Sequence, residues 1–333
     1  MPLIVHPHFH SRHTGVTSHT ELIVSELART SETRALGRHL AAHVPRIAWR
    51  ELWRRLRQEP LVWHAHRNNE MLVGLLLRLL GRRVRLVYTR HGGTPPGRFT
   101  RLLARRAERI ITLNEEGTRW MGGTATRIGH GVDVTRFQPP ADRDAAWKAL
   151  GLGGQHGVGV VGRIRPAKGQ GDFVEALKPL LEQFPEWRAV LVGQARGKDE
   201  GWARALRAST QERLVLAGEH ADVVPWYQGL DIIVQPSHSE SFGLVLLEAM
   251  ASGCCLVATR LPHVPALVEH GRTGFLFEPG DVAGLREHLR LLLREPERAR
   301  AVGRAAAEEA RARFGVVHEA RALARVYEEA LAS

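Results

Sequence analysis

The chain has 333 residues, with ordinary apolar (44%) and charged (25%) fractions and a formal net charge of +12. That length accommodates two domains with separate cores, and no apolar run reaches the ~18 residues that cross a bilayer. Residues 1–140 carry 23 arginines and no lysine against 10 acids, whereas residues 141–333 carry 24 basic residues against 25 acids. The first half therefore projects a positive field, and its candidate partners are anionic lipid, an acidic acceptor or nucleic acid. Aromatic residues are not interleaved with these arginines as in nucleic-acid grooves, which argues against nucleic acid. The chain opens on strand-like PLIV rather than a signal peptide. Its two cysteines, Cys254 and Cys255, are neighbours in a strand-like run. Adjacent strand residues point to opposite faces, so neither a disulfide nor a metal pair is expected. A cytoplasmic protein is the expectation.

In chain order, LIVHP reads as a strand, followed by a Gly-bearing turn and the helix TSHTELIVSELA. LVWHAH is a strand and NNEMLVGLLLRLLG a helix. RLVYTRH is a strand, RFTRLLARRA a helix and RIITLN a strand. The Pro139–Pro140 pair reads as a linker. GVGVVGR, WRAVLVGQ, RLVLAGE, DIIVQPS, CCLVATR and GFLFEP then read as strands with helices between most of them, and the chain ends helical. Apolar strands alternating with helices predict parallel, doubly covered sheets. The expected domains are residues 1–138 and 139–315, with 316–333 a terminal helix. Two doubly wound, Rossmann-like domains would bind ligands at the carboxyl ends of their strands.

The most informative stretch is SHSESFGLVLLEAMASG, residues 237–253. A polar loop feeds a helix whose Leu244, Leu247 and Ala251 recur at helical spacing. A helix start offers unpaired N–H groups, a natural phosphate seat. Glu240 lies in the loop before it and Glu248 about two turns inside. Carboxylates accept hydrogen bonds, so sugar hydroxyls are natural partners for both. A phosphate seat between two hydroxyl acceptors suits a nucleotide sugar. The plainer alternative makes Glu248 a capped core residue and Glu240 a solvated one.

This stretch, with CCLVATRLPHVPALVEHGRTGFLFEPGD after it, resembles the donor-site signature of family 4 glycosyltransferases. These are retaining enzymes of the GT-B fold, in which two Rossmann-like domains face a cleft. The resemblance covers nearly the whole chain. HTGVTSH and WHAHRNNEMLVG resemble the lipopolysaccharide core mannosyltransferases within that family. It implies that the terminal helix crosses back to the first domain. In GRIRPAKG it implies that Arg163 and Lys168 hold the diphosphate, with Arg165 a less certain member. They would stabilise the charge of a departing phosphate in place of a metal. The alternative is a basic surface turn.

The resemblance further implies donor contacts from Ser241, Phe242, Gly243 and Leu244. It places Gly15 beside the diphosphate, where glycine permits close backbone approach. AGEHADVVPWYQGLDIIVQPS resembles the nucleobase-lining segment, with Glu219 and His220 at the base edge. His91, ending VYTRH, matches an active-site histidine facing the transferred sugar; the alternative is a loop cap. Arg67, Asn68, Asn69 and Glu70 follow a strand end and are the candidate acceptor contacts, although Asn68 would serve equally as a helix cap.

Three features imitate other chemistry. GVGVVG, residues 157–162, satisfies Gly-x-Gly-x-x-Gly but is itself strand-like and opens no helix, so it is not read as a dinucleotide site. Asp142 and Asp144 imitate a metal-binding Asp-x-Asp, yet acids commonly begin a helix. His6, His8, His10, His13 and His19 are enriched near the start. The first three would share one strand face, which leaves a metal site as the alternative; they are read as polar or substrate-facing side chains.

The expected activity is retaining transfer of a hexose, mannose from GDP-mannose, to a lipopolysaccharide core or related glycolipid or oligosaccharide acceptor. No cofactor or metal is expected beyond the nucleotide-sugar donor. UDP-sugar transfer, a GT-B epimerase and a non-enzymatic basic binding protein are the alternatives. RFTRLLARRAER, residues 98–109, spaces Phe99, Leu102 and Leu103 helically among arginines. That pattern suits the anionic inner leaflet; the alternative packs the apolar residues on the sheet.

Overall fold

The computed structural model describes residues 2–11, 14–209 and 213–333; His13 of the N-terminal histidines lies outside them. The chain divides into two compact units, one running to Gly131 and including Val316–Ser333, the other Val132–Gly315. The Pro139–Pro140 pair therefore lies inside the second unit, seven residues beyond the division. The Val132 N–H already donates to the Phe314 carbonyl at 2.8 Å, pinning the chain there before the prolines are reached.

In the first unit the elements are β1 (Ile4–His8), α1 (Gly15–Leu27), β2 (Thr33–Gly37), α2 (Trp49–Arg55), β3 (Leu61–Ala65), α3 (Asn68–Leu79), β4 (Val84–Arg90), α4 (Arg98–Ala104), β5 (Arg109–Thr112), α5 (Glu115–Trp120) and β6 (Thr126–Arg127). They form a six-stranded sheet in the order β2-β1-β3-β4-β5-β6, and every pair is parallel. The sheet is covered on both faces. Trp63 packs with Leu52, Met71 and Leu86 on one face. Its neighbour Val62 packs with Ile23, Leu323 and Tyr327 on the other, as the two-residue strand period requires. Thr14 caps α1 through a reciprocal bond with Thr17.

The second unit holds α6 (Arg143–Ala149), β7 (His156–Val161), α7 (Gln170–Gln183), β8 (Trp187–Val192), α8 (Asp199–Ala208), β9 (Leu214–Gly218), α9 (Val224–Gly229), β10 (Ile232–Gln235), α10 (Leu244–Ala251), β11 (Cys255–Thr259), β12 (Phe275–Phe277), α11 (Val282–Arg294) and α12 (Pro296–Arg313). Its sheet runs β12-β11-β10-β7-β8-β9, again parallel throughout. The glycines of GVGVVG lie within and at the end of β7; Gly157 is required because a Cβ there would strike the Trp147 ring. Asp142 caps α6, accepting from Ala145 N at 3.0 Å, and Asp144 is ion-paired with Arg300.

The last helix, α13 (Val316–Ala332), belongs to the first unit and packs on α1, β3 and β4. Its buried face runs Val316, Glu319, Ala320, Leu323, Val326, Tyr327 and Ala330. Burying Val316, Leu323 and Val326 contributes roughly 1.5–3 kcal/mol each. Glu319 is the one charged member of that stripe.

In both sheets the strand order reverses beside the unit's first strand: between β1 and β3, and between β7 and β10. Ligands of doubly wound sheets bind at the carboxyl ends of the strands flanking such a reversal.

Candidate active site

Two loops meet at the reversal point of the second unit. The first leaves β7 and carries Arg163, Ile164 and Arg165 into a short 3₁₀ turn, Pro166–Lys168. Gln170, buried, ties this loop down: it accepts from Arg165 N at 3.3 Å and donates to the Arg163 carbonyl at 3.1 Å. The second loop leaves β10 and carries Ser237 to Gly243. They cross at Gly169, which has φ +71°, and a Cβ there would overlap the Pro236 carbonyl. Only glycine fits that crossing.

The crossing brings together residues far apart in sequence. Lys168 Nζ is ion-paired with Glu240 Oε2, both partly buried. Glu240 Oε1 accepts from Ser241 N at 3.1 Å, and Gln235 Nε2 approaches Oε2 at 3.5 Å. Arg163 is largely exposed, with Asp199 its nearest carboxylate at 3.8 Å. An incoming phosphate can take Lys168 and release Glu240 to accept hydroxyls.

Helix α10 begins just beyond. Gly243 precedes it at φ +81°, and no side chain among the described residues caps it. By contrast, α6 and α11 are capped by Asp142 and Asp281. The uncapped N–H groups of α10 are a ready anion seat. Phe242 is buried and its carbonyl accepts from His263 Nε2 at 3.0 Å, which fixes the turn. Inside the helix, Glu248 Oε2 accepts from the Tyr227 hydroxyl at 2.7 Å. Burial raises the Glu248 carboxyl, opposed by that bond. Burial, then Glu248, raises the Tyr227 hydroxyl, which stays a donor. Glu219 and His220 follow β9 at the carboxyl edge of the same sheet. Glu219 forms an exposed fork with Arg196 at 2.8 and 3.1 Å, and His220 Nε2 is bonded to the Ala217 carbonyl at 2.9 Å.

The first unit assembles a different cluster at its reversal point. His66 Nδ1 is hydrogen-bonded to His91 Nε2 at 2.9 Å, and His66 Nε2 to His6 Nδ1 at 3.1 Å. The Tyr327 hydroxyl lies 3.2 Å from His6 Nε2 and 2.7 Å from His64 Nδ1; His64 Nε2 meets the Thr89 hydroxyl at 2.6 Å. Glu319 Oε1 meets His19 Nε2 at 2.7 Å and His130 Nδ1 at 3.4 Å, and Oε2 accepts from Gly131 N at 2.6 Å. Burial is the main cause that lowers these imidazoles: His6 to about 3, His130 to about 4, and His64, His66 and His91 well below the ordinary value. Burial pushes Glu319 up, but His19 and His130 outweigh it and hold the carboxyl below its usual range.

Several expected contacts sit differently from their sequence reading. Arg67 precedes α3 and donates to the Thr14 hydroxyl at 3.2 Å, so it joins the cap of α1, whose first residue is Gly15 rather than a residue of the preceding turn. Asn68 does not cap α3; it is the first helical residue and donates to the Thr100 hydroxyl at 3.0 Å. Asn69 is exposed. Glu70 is fully buried, accepts from His66 N at 2.7 Å, and is pushed by burial to about 7. It braces the loop from within and is not an open acceptor contact. β1 ends at His8, which is near Thr17 at 3.4 Å, so His10 lies beyond the strand rather than on its face. The basic helix ends at Ala104, and Leu103 turns into the core while Phe99 and Leu102 stay half exposed.

Residues 143–309, which span the two crossing loops and α10, match the family model described as Glycosyl transferases group 1. The lipopolysaccharide core biosynthesis mannosyltransferase LpcC of Rhizobium leguminosarum bv. viciae is 35% identical over 98% of this chain and 96% of its own. The chain belongs to the glycosyl transferase group 1 family. LpsB of Rhizobium meliloti, also a lipopolysaccharide core biosynthesis mannosyltransferase, is 35% identical to this glycosyltransferase over 98% of the chain and 97% of its own. The glycosyltransferase shares its GT-B fold with Anabaena HepE, solved in complex with UDP and glucose. That structure has a TM-score of 0.82 at 21% identity over 98% of this chain and 99% of the other. The C-terminal domain of Francisella tularensis LpcC is 31% identical, covers 56% of this chain and all of its own, and has a TM-score of 0.53.

Motif reading did not single out Gln170, Tyr227, His130, Glu319 or Tyr327. Glu319 carried a signal nonetheless, as a lone acid in the apolar stripe of an amphipathic helix. The others look like ordinary core or loop residues until the chain is folded.

Proposed function

We propose that this glycosyltransferase moves mannose from GDP-mannose to a lipopolysaccharide core or related glycolipid acceptor, with retention of configuration. The observation that carries the reading is the Lys168–Glu240 pair beside the uncapped start of α10. The two mannosyltransferase relatives, matched along nearly their whole length, support the sugar and the acceptor class. Arg163 and Lys168 neutralise the departing diphosphate, so that step needs no metal. Ser241 to Leu244 seat the phosphates through the turn and the helix start, and Gly15 is a further donor contact. Glu240 holds sugar hydroxyls, and Glu248, oriented by Tyr227, holds the ribose. Glu219 and His220 line the base. His91 contacts the transferred sugar, and Arg67, Asn68 and Asn69 meet the acceptor.

No protein carboxylate is assigned as nucleophile. The acceptor oxygen bonds to the anomeric carbon on the face from which the diphosphate leaves. The leaving phosphate oxygen takes the acceptor proton. A mannosyl transfer assay with delipidated core acceptor and GDP-mannose tests this. An α-linked mannoside, matching the donor anomer, is expected; an inverted product or free mannose alone would refute it.

The acceptor class also bears on the positive face. Leu72, Leu76 and Leu79 recur along one side of α3 and are about half exposed or more, and α3 packs on α4, which presents Phe99 and Leu102. Arg101 and Arg105 line an adjoining groove with Arg109 and Arg119. We assign this face to an anionic bilayer, where each basic residue contributes roughly 1 kcal/mol. No helix among the described residues is long and apolar enough to cross a membrane.

A further inference from the structure

Six clustered histidines exceed what sugar transfer uses, since only His91 has a role there. They fall into two triads. One nitrogen from each of His6, His64 and His66 lies within 4.8 Å of the others, and the same holds for His19, His91 and His130.

The triads differ in what their nitrogens already bind. Each ring of the first has both nitrogens engaged, in a chain from Thr89 through His64, Tyr327, His6 and His66 to His91. A neutral imidazole donates one bond and accepts one, so this chain is satisfied in either direction. The first triad is closed. In the second, each ring is held from outside: His19 Nε2 and His130 Nδ1 by Glu319, and His91 Nε2 by His66. Bracing of the far nitrogen by a carboxylate or similar group is how metal-binding imidazoles are oriented. His19 Nδ1 is buried with no hydrogen-bond partner among the described residues, a condition that costs about 1–3 kcal/mol. His19 and His130 are buried while His91 is partly exposed, so the triad opens on one side. Glu319 supplies the negative charge that a buried cation needs.

We propose that His19, His91 and His130 bind one divalent ion of the zinc class, anchored from behind by Glu319 and with a coordination position open on the His91 side. Three imidazoles suit zinc, cobalt, nickel or copper, whereas magnesium and calcium prefer oxygen. Three-histidine zinc sites keep such an open position. With the ion present, a sugar hydroxyl would meet that position rather than the bare His91 ring. The inference does not rest on the donor-site reading, because the ion is bound by the first unit's own residues.

The test uses the full chain without donor or acceptor. Chelator-stripped protein is titrated with zinc chloride by calorimetry and with cobalt chloride by visible absorption. One ion per chain and tetrahedral cobalt bands are expected. His19→Ala and His130→Ala should abolish both signals, and Glu319→Gln should weaken affinity about 10–100-fold. His64→Ala, from the closed triad, should retain them. X-ray absorption on zinc-loaded wild type needs no variant to fold, and should give three imidazole nitrogens at about 2.0–2.1 Å. Absence of stoichiometric binding, an oxygen-dominated shell, or loss in His64→Ala with retention in His19→Ala would overturn the proposal.

Discussion

The two units solve the same topological problem with different sequence economy. In the second, the reversal point is furnished by short contiguous runs: GRIRPAKG after β7 and SHSESFG after β10. In the first, it is furnished by single residues from β1, α1, β3 and the loops after β4 and β6, closed by α13 from the far end of the chain. A site that grips a flexible phosphate can be built from loop backbone and a few charges. A buried polar cluster must satisfy each atom, and its partners come from wherever the fold brings them.

The largest effect expected from this contrast is on turnover. Lys168→Ala and Glu240→Ala should each reduce mannosyl transfer by ~10²–10³-fold, the usual loss for one preorganised charge contact. Circular dichroism should remain native, because both residues lie in a partly exposed loop pair rather than in either core. Near-normal turnover in both variants would remove the loops from the mechanism.

The first unit should instead respond through stability. Burial raises the Glu70 carboxyl from 4.5 to about 7. The folded state then binds a proton that the unfolded chain has already lost. The stability this gives is fully present below pH 4.5 and is lost as pH rises through about 7, by roughly 3 kcal/mol. Glu70→Gln should flatten that part of the profile and unfold at higher temperature than wild type at pH 8. Parallel melting curves for the two proteins between pH 5 and pH 8 would contradict the assignment.

A smaller effect is expected at the basic face. Arg101→Glu with Arg105→Glu should weaken sedimentation with anionic vesicles about tenfold or more, at roughly 1 kcal/mol per basic residue. Binding that is the same for neutral and anionic vesicles would reduce α3 and α4 to scaffold. The smallest expected effect is that of EDTA on transfer, which should leave the diphosphate step intact. Loss restored by magnesium or manganese would count against Arg163 and Lys168 and return attention to Asp142 and Asp144. Restoration by zinc alone would point to the histidines.

The strands of both sheets with continuous apolar runs were legible, since burial on both faces leaves one residue class. β2 was missed because Arg34 interrupts TRALG, and β6 because only Thr126 and Arg127 pair. Asp142 was read as starting a helix, and it caps α6. Lys168 and Glu240 were read as one site although 72 residues separate them, and their ion pair brings them together. Glu70 misled because acids in the first turn of a helix are ordinarily solvated, whereas this one turns inward to the His66 N–H. The histidine cluster was illegible for a related reason: only His64 and His66, two apart in LVWHAH, share a strand face, and the other members come from separate elements. Only the return of α13 joins Glu319 to His19, 300 residues away.

The most direct test of the central claim is donor calorimetry on the intact chain with GDP-mannose, UDP-glucose and UDP-N-acetylglucosamine, repeated in Lys168→Ala. The account predicts saturable binding of GDP-mannose, weaker binding of both UDP-sugars, and loss of the GDP-mannose signal in the variant. Tighter binding of a UDP-sugar would contradict the assigned donor. Absence of binding by all three, or GDP-mannose affinity unchanged in Lys168→Ala, would contradict the site itself.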